Sequence, residues 1–355
     1  MDKILLFLER YNCEKTLLVT GKKSFNTSGS QDLFSKAKED YDLIRFSDFS
    51  ENPKLTDVKE GIKIFKESNC DSIISIGGGS VIDMAKLISC LWNKNLNHDQ
   101  FNIDELKNVK RQIPFMIIPT TAGSGSEATS FAVIYINGIK YSVEDETLKP
   151  DEVLLDPELS YRMPSYQKAV SGLDALSQSI ESFWSKKATK TSREYSEKAL
   201  KLIWNNLYNS VVLNDFEAHK KVLLGSNYAG KAINISKTTA PHALSYYFTS
   251  KHNIKHGHAV CLTLSRIYAY NKSKVMEHDQ HYTKVFGQLD KILGIDEKGP
   301  IYIIDNFIKQ LGVELDWNKL NIDMKSEFDE ICSSINKLRL KNNPFEVDLK
   351  KILID

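Results

Sequence analysis

Apolar and polar positions alternate with two different periods in the first half of the chain. Short apolar runs at residues 15–20, 42–46 and 72–76 have the length and composition of buried strands. Amphipathic stretches at residues 31–40 and 54–68 separate these runs and predict helices. Strict alternation of strand and helix predicts a parallel sheet covered on both faces, and such sheets bind nucleotides at the carboxyl ends of their strands.

The pattern changes to helical periodicity at about residue 159. Residues 115–118 are a further apolar strand, and Asn137-Gly138 predicts a hairpin turn between strands at 131–136 and 139–143. Beyond Asp156-Pro157, strand-like alternation almost vanishes, and the predicted helices are residues 171–186, 192–208, 218–236, 260–270, 282–293 and 301–311. We therefore predict an α/β domain over residues 1–158 and an all-α domain over residues 159–355, with the catalytic pocket in the cleft between them.

Length, charge and cysteine content narrow the class of protein. A chain of 355 residues exceeds the usual size of a single core, and a net charge of +1 predicts no electrostatic binding of nucleic acid or of an anionic membrane. The five cysteines are scattered without a CxxC motif, which suits a reducing cytoplasm. The first residues do not resemble a secretory signal, and no apolar run is long enough to span a bilayer. We expect a cytoplasmic protein with a small-molecule ligand.

Three glycines and a serine follow the third predicted strand directly. Gly77, Gly78 and Gly79 allow the backbone to approach an anion closely, and the N–H groups and dipole of the following helix face that anion. A diphosphate suits this position, although an ordinary strand-to-helix turn explains the motif about as well. The motif is neither GxGxxG nor a P-loop, so kinase or ATPase chemistry is not indicated. A second loop, residues 119–127, is dense in small and hydroxyl side chains, and it suits either a ligand's sugar and ring or an ordinary flexible loop.

Three histidines lie in the segment from residue 236 to residue 260: His242, His256 and His258. Imidazole is the commonest neutral nitrogen ligand of transition metals. Asp174 and Gln178 stand four residues apart on a predicted helix, so they share one face and are the best candidates for the remaining ligands. The structural alternative for each residue is a hydrogen-bonded core histidine or a residue at a helix start.

Together these motifs resemble those of the iron-containing (group III) alcohol dehydrogenases, a superfamily that includes dehydroquinate synthase and glycerol dehydrogenase. The matching motifs cover nearly the whole chain in order: Gly78-Gly79-Ser80-x-x-Asp83, Pro119-Thr120-Thr121-Ala122-Gly123-Ser124, Asp156-Pro157, Gly172-x-Asp174-Ala175-Leu176, and His242 followed fourteen residues later by His256-Gly257. The resemblance implies a Rossmann-like dinucleotide-binding domain and a helical domain that holds a divalent metal, usually iron or zinc. It is also compatible with a homodimer.

The resemblance implies roles for residues by position. The implied metal ligands are Asp174, Gln178, His242 and His256. The implied cofactor residues are Gly21, Lys22, Ser24, Asn52, Gly78, Gly79, Ser80, Asp83, Thr120, Thr121, Ser126 and Lys140. Within this set, the residues from Gly78 to Asp83 would hold the diphosphate, the hydroxyl side chains would flank the ring and sugar, and Lys140 would reach the nicotinamide ribose.

This chain departs from the family pattern at three positions. Most family members have histidine where Gln178 and Tyr246 stand, and an amide oxygen is a weaker and harder ligand than imidazole, so the expected metal affinity is lower. NAD-preferring members commonly have an aspartate at the position of Gly21, where it accepts hydrogen bonds from the adenosine ribose and repels a 2′-phosphate. Glycine removes that repulsion and Lys22 or Lys23 can pair with the phosphate, so we expect NADPH, with NADH as the alternative. The structural alternative is that both lysines are solvated surface charges.

The implied chemistry is metal-assisted reduction of an aldehyde. The carbonyl oxygen would bind the metal, which stabilises the alkoxide as hydride leaves the nicotinamide ring. His258 and Tyr246 are the candidate proton donors, with packing residues as the alternative reading of both.

Several lysines near the predicted metal ligands suggest an anionic substrate. Lys231, Lys237, Lys255 and His258 cluster in sequence around the predicted ligands, although lysines on a solvated helix face are the alternative. With residues 174–178 and 181–185 they resemble the phosphonoacetaldehyde reductase branch of the family. That resemblance implies NADPH-dependent reduction of phosphonoacetaldehyde to 2-hydroxyethylphosphonate, with Lys237 contacting the phosphonate. The alternatives are another alcohol dehydrogenase for a short alcohol or polyol, a lyase or cyclase of the dehydroquinate synthase kind, and a nucleotide-binding protein without catalysis.

Overall fold

The computed structural model describes residues 2–37, 41–94, 96, 106, 109–137, 139–276 and 279–354. The chain divides into two compact units. The first contains the residues up to Thr121 together with Gly125–Met163, and the second contains Ala122–Ser124 together with Pro164–Asp355. The short segment Ala122–Ser124 belongs with the second unit because Gly123 packs directly on Ser171, whose carbonyl oxygen would lie 2.6 Å from a Cβ atom at Gly123.

A five-stranded parallel sheet forms the centre of the first unit, in the order β2-β1-β3-β4-β7. The strands are β1 (Lys15–Thr20), β2 (Asp42–Phe46), β3 (Ser72–Gly77), β4 (Phe115–Pro119), β5 (Phe131–Ile136), β6 (Ile139–Glu144) and β7 (Glu152–Val153). Thr20 pairs with Ile76 and Gly77 with Pro119, so the carboxyl ends of the three central strands lie side by side. The predicted parallel sheet is confirmed, and the loops with the predicted nucleotide-binding residues leave from this edge.

Helices cover both faces of this sheet: α1 (Asp2–Arg10), α2 (Ser24–Thr27), α3 (Ser30–Ala37), α4 (Leu55–Glu67), α5 (Gly79–Leu91) and α6 (Pro157–Tyr161). Successive strand residues point to opposite faces, so Leu17 and Leu18 belong to different hydrophobic clusters. Helix α1, which the sequence analysis did not predict, buries Ile4, Phe7 and Leu8 at helical spacing. The helix predicted at residues 31–40 corresponds to α3, and residues 38–40 of that prediction lie outside the described residues.

Strands β5 and β6 form the predicted antiparallel hairpin. Their register runs from Phe131 opposite Glu144 to Ile136 opposite Ile139. Asn137 has a φ of 52°, the left-handed conformation that the first position of a tight hairpin turn requires. Gly138, the second residue of the predicted turn, lies outside the described residues.

The second unit contains helices and loops but no β-strand among its described residues. Its helices are α7 (Ser165–Trp184), α8 (Lys190–Val211), α9 (Phe216–Ser236), α10 (Ala240–Lys251), α11 (His256–Ser273), α12 (Gln280–Leu293), α13 (Gly299–Gln310), α14 (Phe328–Ser334), α15 (Lys337–Lys341) and α16 (Leu349–Leu353). The predicted all-α character is confirmed. Within the described residues, none of the helices combines the length and the apolar character that crossing a membrane requires.

Candidate active site

The glycine turn after β3 is shaped for close approach to the backbone. A Cβ atom at Gly77 would lie 2.6 Å from Val81, and one at Gly78 would lie 3.1 Å from Thr121, so side chains at these positions would crowd the turn. No side chain caps the start of α5 at Gly78. The first N–H groups of the helix are therefore available to an anion, which fits the predicted diphosphate position. Thr120 lies next to this turn and donates its backbone N–H to the carbonyl oxygen of Gly77 at 2.9 Å.

Two charged residues on α5, the half-buried Asp83 and the fully buried Lys86, anchor residues 126–133, which follow the loop after β4. Asp83 accepts hydrogen bonds from Ser126 Oγ at 2.7 Å and from the backbone N–H of Val133 at 3.1 Å. Lys86 Nζ donates to the carbonyl oxygens of Ser126, Thr129 and Phe131 at 2.6–3.0 Å. Burial raises the pKa of the Asp83 carboxyl, whereas it lowers the pKa of Lys86 to about 8. These contacts position Ser126, while direct binding of a diphosphate by Asp83 stays a prediction.

Lys140 and Asn52 lie close to other predicted cofactor residues. Lys140 pairs with Tyr135 in the hairpin, and its charge lowers the pKa of Asp83 against the larger effect of burial. Asn52 donates its backbone N–H to Ser80 Oγ at 3.3 Å, which joins the loop after β2 to the glycine turn. The first unit thus brings most of the predicted cofactor residues to one edge of its sheet.

The turn after β1 has glycine where an acidic side chain could meet the adenosine ribose. A Cβ atom at Gly21 would overlap the hydroxyl of Ser24. Arg45, near the end of β2, donates from Nε to Thr20 Oγ1 at 2.8 Å and from Nη2 to the carbonyl oxygen of Gly21 at 3.2 Å. Lys22, one of the two lysines predicted to bind a 2′-phosphate, pairs with Asp48 at 2.5 Å. Arg45, which was not predicted from the sequence, is therefore a cation that hydrogen bonds hold at Gly21.

Three predicted metal ligands converge in the second unit. Ligand atoms of Asp174, His242 and His256 all lie within 4.8 Å of one another. Asp174 lies on α7, His242 near the start of α10 and His256 at the start of α11. Gly257 permits this convergence, because a Cβ atom there would overlap the carbonyl oxygen of Val170 on α7. One carboxylate and two imidazoles suit zinc or ferrous iron, so the donor set fits the metal that the sequence implies.

Gln178 lies one helical turn beyond Asp174, where the fourth ligand was predicted. Its Nε2 group donates to the carbonyl oxygen of Ser124 at 3.3 Å. Its Oε1 atom is buried and has no hydrogen-bond partner among the described residues. A buried amide oxygen without a donor is costly, and a metal ion or a metal-bound water would satisfy it.

Glu181 orients His242 from the same face of α7. Asp174, Gln178 and Glu181 follow one another at spacings of four and three residues, so they form one stripe along the helix. Glu181 is fully buried and accepts hydrogen bonds from His242 Nδ1 and from Thr239, whose backbone N–H lies 2.7 Å and whose hydroxyl lies 3.0 Å from Oε2. In the ion-free protein, Nε2 of the protonated His242 donates to Asp174 Oδ1 at 3.2 Å; the Nδ1 proton held by Glu181 leaves Nε2 as the atom that would bind a metal. Glu181 lies in a segment that resembles the family, but no role was predicted for it, although its spacing from Asp174 places both residues on one face of a helix.

Charge and hydrogen bonding perturb both members of the His242 and Asp174 pair. Burial alone would lower the pKa of His242, but the charges of Glu181 and Asp174 and their hydrogen bonds raise it to about 9. Burial alone would raise the pKa of Asp174, but its hydrogen bond with His242 and the charges of His256 and His242 lower it. A metal ion that binds here must therefore displace a proton from His242.

The predicted catalytic residues lie in different surroundings. Tyr246 stacks on His256, with ring centroids 6.3 Å apart and planes 13° apart. His258 contacts Tyr166 OH at 2.9 Å through Nδ1 and the carbonyl oxygen of Glu314 at 2.5 Å through Nε2. Burial lowers the pKa of His258, and it is not part of the group of converging ligands. The structure brings Tyr246 to the metal ligands and gives His258 structural partners.

Comparison with known proteins identifies the family. The model of the iron-containing alcohol dehydrogenases matches residues 1–157, and the model of the C-terminal domain of the Fe-containing alcohol dehydrogenase family matches residues 168–353. An NAD-dependent methanol dehydrogenase of Bacillus methanolicus is 28% identical over 346 residues, which cover 93% of this chain and 90% of that protein. Alcohol dehydrogenase 4 of Schizosaccharomyces pombe is 30% identical over 81% of this chain and 68% of its own length.

A solved structure resembles the chain over almost its full length. Sulfoacetaldehyde reductase from Bifidobacterium kashiwanohense, in complex with NAD+, superposes with a TM-score of 0.86 at 28% identity, covering 99% of this chain and 92% of that one. The two family models together match most of the sequence, and they agree with the fold and with the order of the motifs. This chain is therefore an oxidoreductase that belongs to the iron-containing alcohol dehydrogenase family.

Proposed function

We propose that this protein reduces a short aldehyde bearing an anionic group, using a reduced nicotinamide nucleotide and a divalent metal held by Asp174, His242 and His256. The observation that supports this most strongly is the convergence of these three ligand atoms within 4.8 Å. A zinc or ferrous ion held there supplies a Lewis acid that stabilises the negative charge developing on the carbonyl oxygen.

The surrounding side chains prepare this chemistry. Glu181 keeps the proton of His242 on Nδ1 and leaves Nε2 as a ligand atom. Gln178 offers a buried oxygen, either as a ligand or as the acceptor for a bound water. Tyr246 is our candidate for proton delivery in preference to His258, because it stacks on His256, whereas both nitrogens of His258 already contact protein groups.

We further propose that NADPH is the preferred hydride donor. In a parallel sheet, the strand beside the phosphate-loop strand ends near the adenosine ribose, and here that strand is β1, which ends before Gly21. No acidic group at Gly21 can repel a 2′-phosphate, and Arg45 is held at this turn as a candidate partner. The similar proteins whose names mention a nucleotide bind or use NAD, so NADH is the alternative to measure.

Phosphonoacetaldehyde is the proposed substrate, with 2-hydroxyethylphosphonate as the product. The similarity to a sulfoacetaldehyde reductase supports a two-carbon aldehyde with a tetrahedral anionic group. Lys237 lies five residues before His242, and its side chain is half-buried, which supports a contact with that group. All five cysteines are free thiols, which agrees with a reducing cytoplasm as the place of the reaction.

The test is oxidation of NADPH or NADH by the zinc- or iron-loaded protein with phosphonoacetaldehyde, sulfoacetaldehyde and propanal. We expect stoichiometric formation of the alcohol, loss of activity with a chelator and loss of activity in His256→Ala. His281→Ala, which truncates an exposed imidazole on α12, is the matched control. A protein that oxidises neither nucleotide with any of these aldehydes would refute the proposal. A cyclase or lyase would instead consume its substrate without net oxidation of the nucleotide.

A further inference from the structure

A half-buried arginine from the C-terminal part of the chain contacts the aromatic ring that stacks on one of the converging ligands. Arg339 is on α15, and its guanidinium carbon lies over the ring of Tyr246, 5.6 Å from the centroid. The same ring stacks on His256. Arg339 also donates a hydrogen bond from Nη1 to the hydroxyl of Thr238, four residues before His242. The guanidinium therefore contacts two elements that build the metal centre, the linker into α10 and an aromatic neighbour of His256.

Asn342 anchors the end of the helix that carries Arg339. Its Nδ2 group donates to the carbonyl oxygens of Ser236 and Thr238 at 2.9 and 3.0 Å, and its Oδ1 atom accepts from Ser185 Oγ at 3.3 Å. These buried contacts join the end of α15 to the segment between α9 and α10 and to the end of α7. The helix that carries Arg339 is thus anchored at its end, and the hydrogen bond to Thr238 holds the guanidinium itself beside the linker into α10.

Among the residues that the structure describes, no carboxylate forms an ion pair with Arg339, whereas Arg10 and Arg111 pair with Glu152 and Asp151. A partly desolvated guanidinium near the position of a divalent cation is unfavourable unless an anion neutralises it. The charge distribution thus favours an anion at this place.

The backbone beside Thr238 points to a ligand as well. Lys237 has φ 60° and ψ 175°, a conformation that is nearly confined to glycine. Such conformations persist where the surrounding structure holds them, and they concentrate at ligand-binding sites. Two cationic residues, Lys237 and Arg339, therefore flank the buried Thr238.

We propose that Arg339 binds the phosphonate or sulfonate group of the substrate and so selects anionic over neutral aldehydes. This inference rests on the proposed function, whose metal site binds the carbonyl end of the same molecule. The planar fork of a guanidinium presents two parallel N–H donors, which match two oxygens of a tetrahedral anion. The class of substrate is a short aldehyde whose tetrahedral anion lies a few bonds from the carbonyl carbon.

The experiment compares Arg339→Gln and Arg339→Lys with the wild type in the metal-loaded protein. Lys341→Gln is the control, since it removes an exposed positive charge from the same short helix. Steady-state kinetics with phosphonoacetaldehyde, sulfoacetaldehyde and propanal separate recognition of the anion from the reduction step. Titration calorimetry with ethylphosphonate and ethanesulfonate measures binding of the anion without turnover.

For Arg339→Gln we expect kcat/KM to fall about 100-fold with the anionic aldehydes and less than about threefold with propanal, mainly through KM. Binding of ethylphosphonate or ethanesulfonate should weaken to a similar extent, Arg339→Lys should recover part of the loss, and Lys341→Gln should match the wild type. The better-bound anion identifies the preferred group. The inference would be overturned by a parallel loss of activity with all three aldehydes. It would also be overturned if Arg339→Gln bound each anion as tightly as the wild type does, or if the wild type bound neither anion. If propanal is still reduced in those cases, the proposed reductase function stands.

Discussion

Replacing Glu181 by glutamine tests how the protein prepares His242 for a metal. The substitution keeps the shape of the side chain but changes one of its two acceptor atoms into a donor. In the wild type, one carboxylate oxygen accepts from His242 Nδ1 and the other from the backbone N–H and the hydroxyl of Thr239. A glutamine can serve only one of these two sides.

The magnitude follows from which side loses its acceptor. If the amide group faces His242, the form of the imidazole with its proton on Nδ1, which can bind a metal through Nε2, lacks the hydrogen bond to a charged acceptor that Glu181 provides, worth about 1.5–3 kcal/mol. That energy corresponds to a loss of about 10- to 100-fold in metal affinity, the range typical of such supporting carboxylates. If the amide group faces Thr239 instead, a buried N–H loses its partner and the metal-free protein loses about 1–3 kcal/mol of stability.

Competition with a chromogenic zinc chelator gives the metal affinity, and urea unfolding of the metal-free protein gives its stability. We expect Glu181→Gln to change at least one of these by the stated amount, and Glu217→Gln, an exposed glutamate on α9 that pairs with Lys220, to change neither. If zinc affinity stays within twofold and the free energy of unfolding within about 0.5 kcal/mol of the wild type, Glu181 does not support the metal centre as argued.

Three further predictions concern the metal ligands and the nucleotide. Because the pKa of His242 is raised to about 9 in the ion-free protein, zinc must displace a proton from it below that pH. Chelator competition should therefore show an apparent zinc affinity that rises about tenfold per pH unit up to about pH 9, and an affinity independent of pH would contradict this. Gln178→His should raise zinc affinity at least about tenfold in the same assay, because imidazole is the better ligand, and an unchanged affinity would mean that position 178 does not face the ion. Arg45→Gln should raise the Kd for NADPH about 10- to 100-fold in a fluorescence titration and leave the Kd for NADH unchanged. Lys22→Gln should alter neither Kd by more than about twofold. An equal loss of affinity for both nucleotides in Arg45→Gln would exclude recognition of the 2′-phosphate by Arg45.

The sequence predicted the elements whose hydrophobic pattern has a clear period. The parallel strands around Gly77 and the hairpin at Asn137 are confirmed, because each is a buried or alternating run ended by residues with strong turn preferences. Helix α10 was not predicted, because it is buried on most sides and has a proline at its second position, so its apolar residues form no stripe. Helix α11 begins at His256, whereas the sequence predicted its start at Val260, because the residues of its first turn are also mostly buried and form no apolar stripe.

Side-chain partners were harder to predict than elements. The ligands Asp174, His242 and His256 stood out because their residue types are those that metals bind, and their motifs resembled a family. Glu181, Arg45 and Arg339 are ordinary charged residues in sequence, and their relevance comes from hydrogen bonds to residues distant in the chain. Lys22 and Lys23 were the candidates for a 2′-phosphate in sequence, and in the structure Lys22 forms an ion pair with Asp48.

The central claim is that a carboxylate and two imidazoles from three different helices hold one catalytic ion. Its most direct test is the metal content of the protein after loading with zinc or ferrous iron and exhaustive dialysis, measured by mass spectrometry. We predict about one ion per chain for the wild type and for His281→Ala, and almost none for His256→Ala and Asp174→Ala. Equal metal content in all four proteins, or no retained metal in the wild type, would contradict the account.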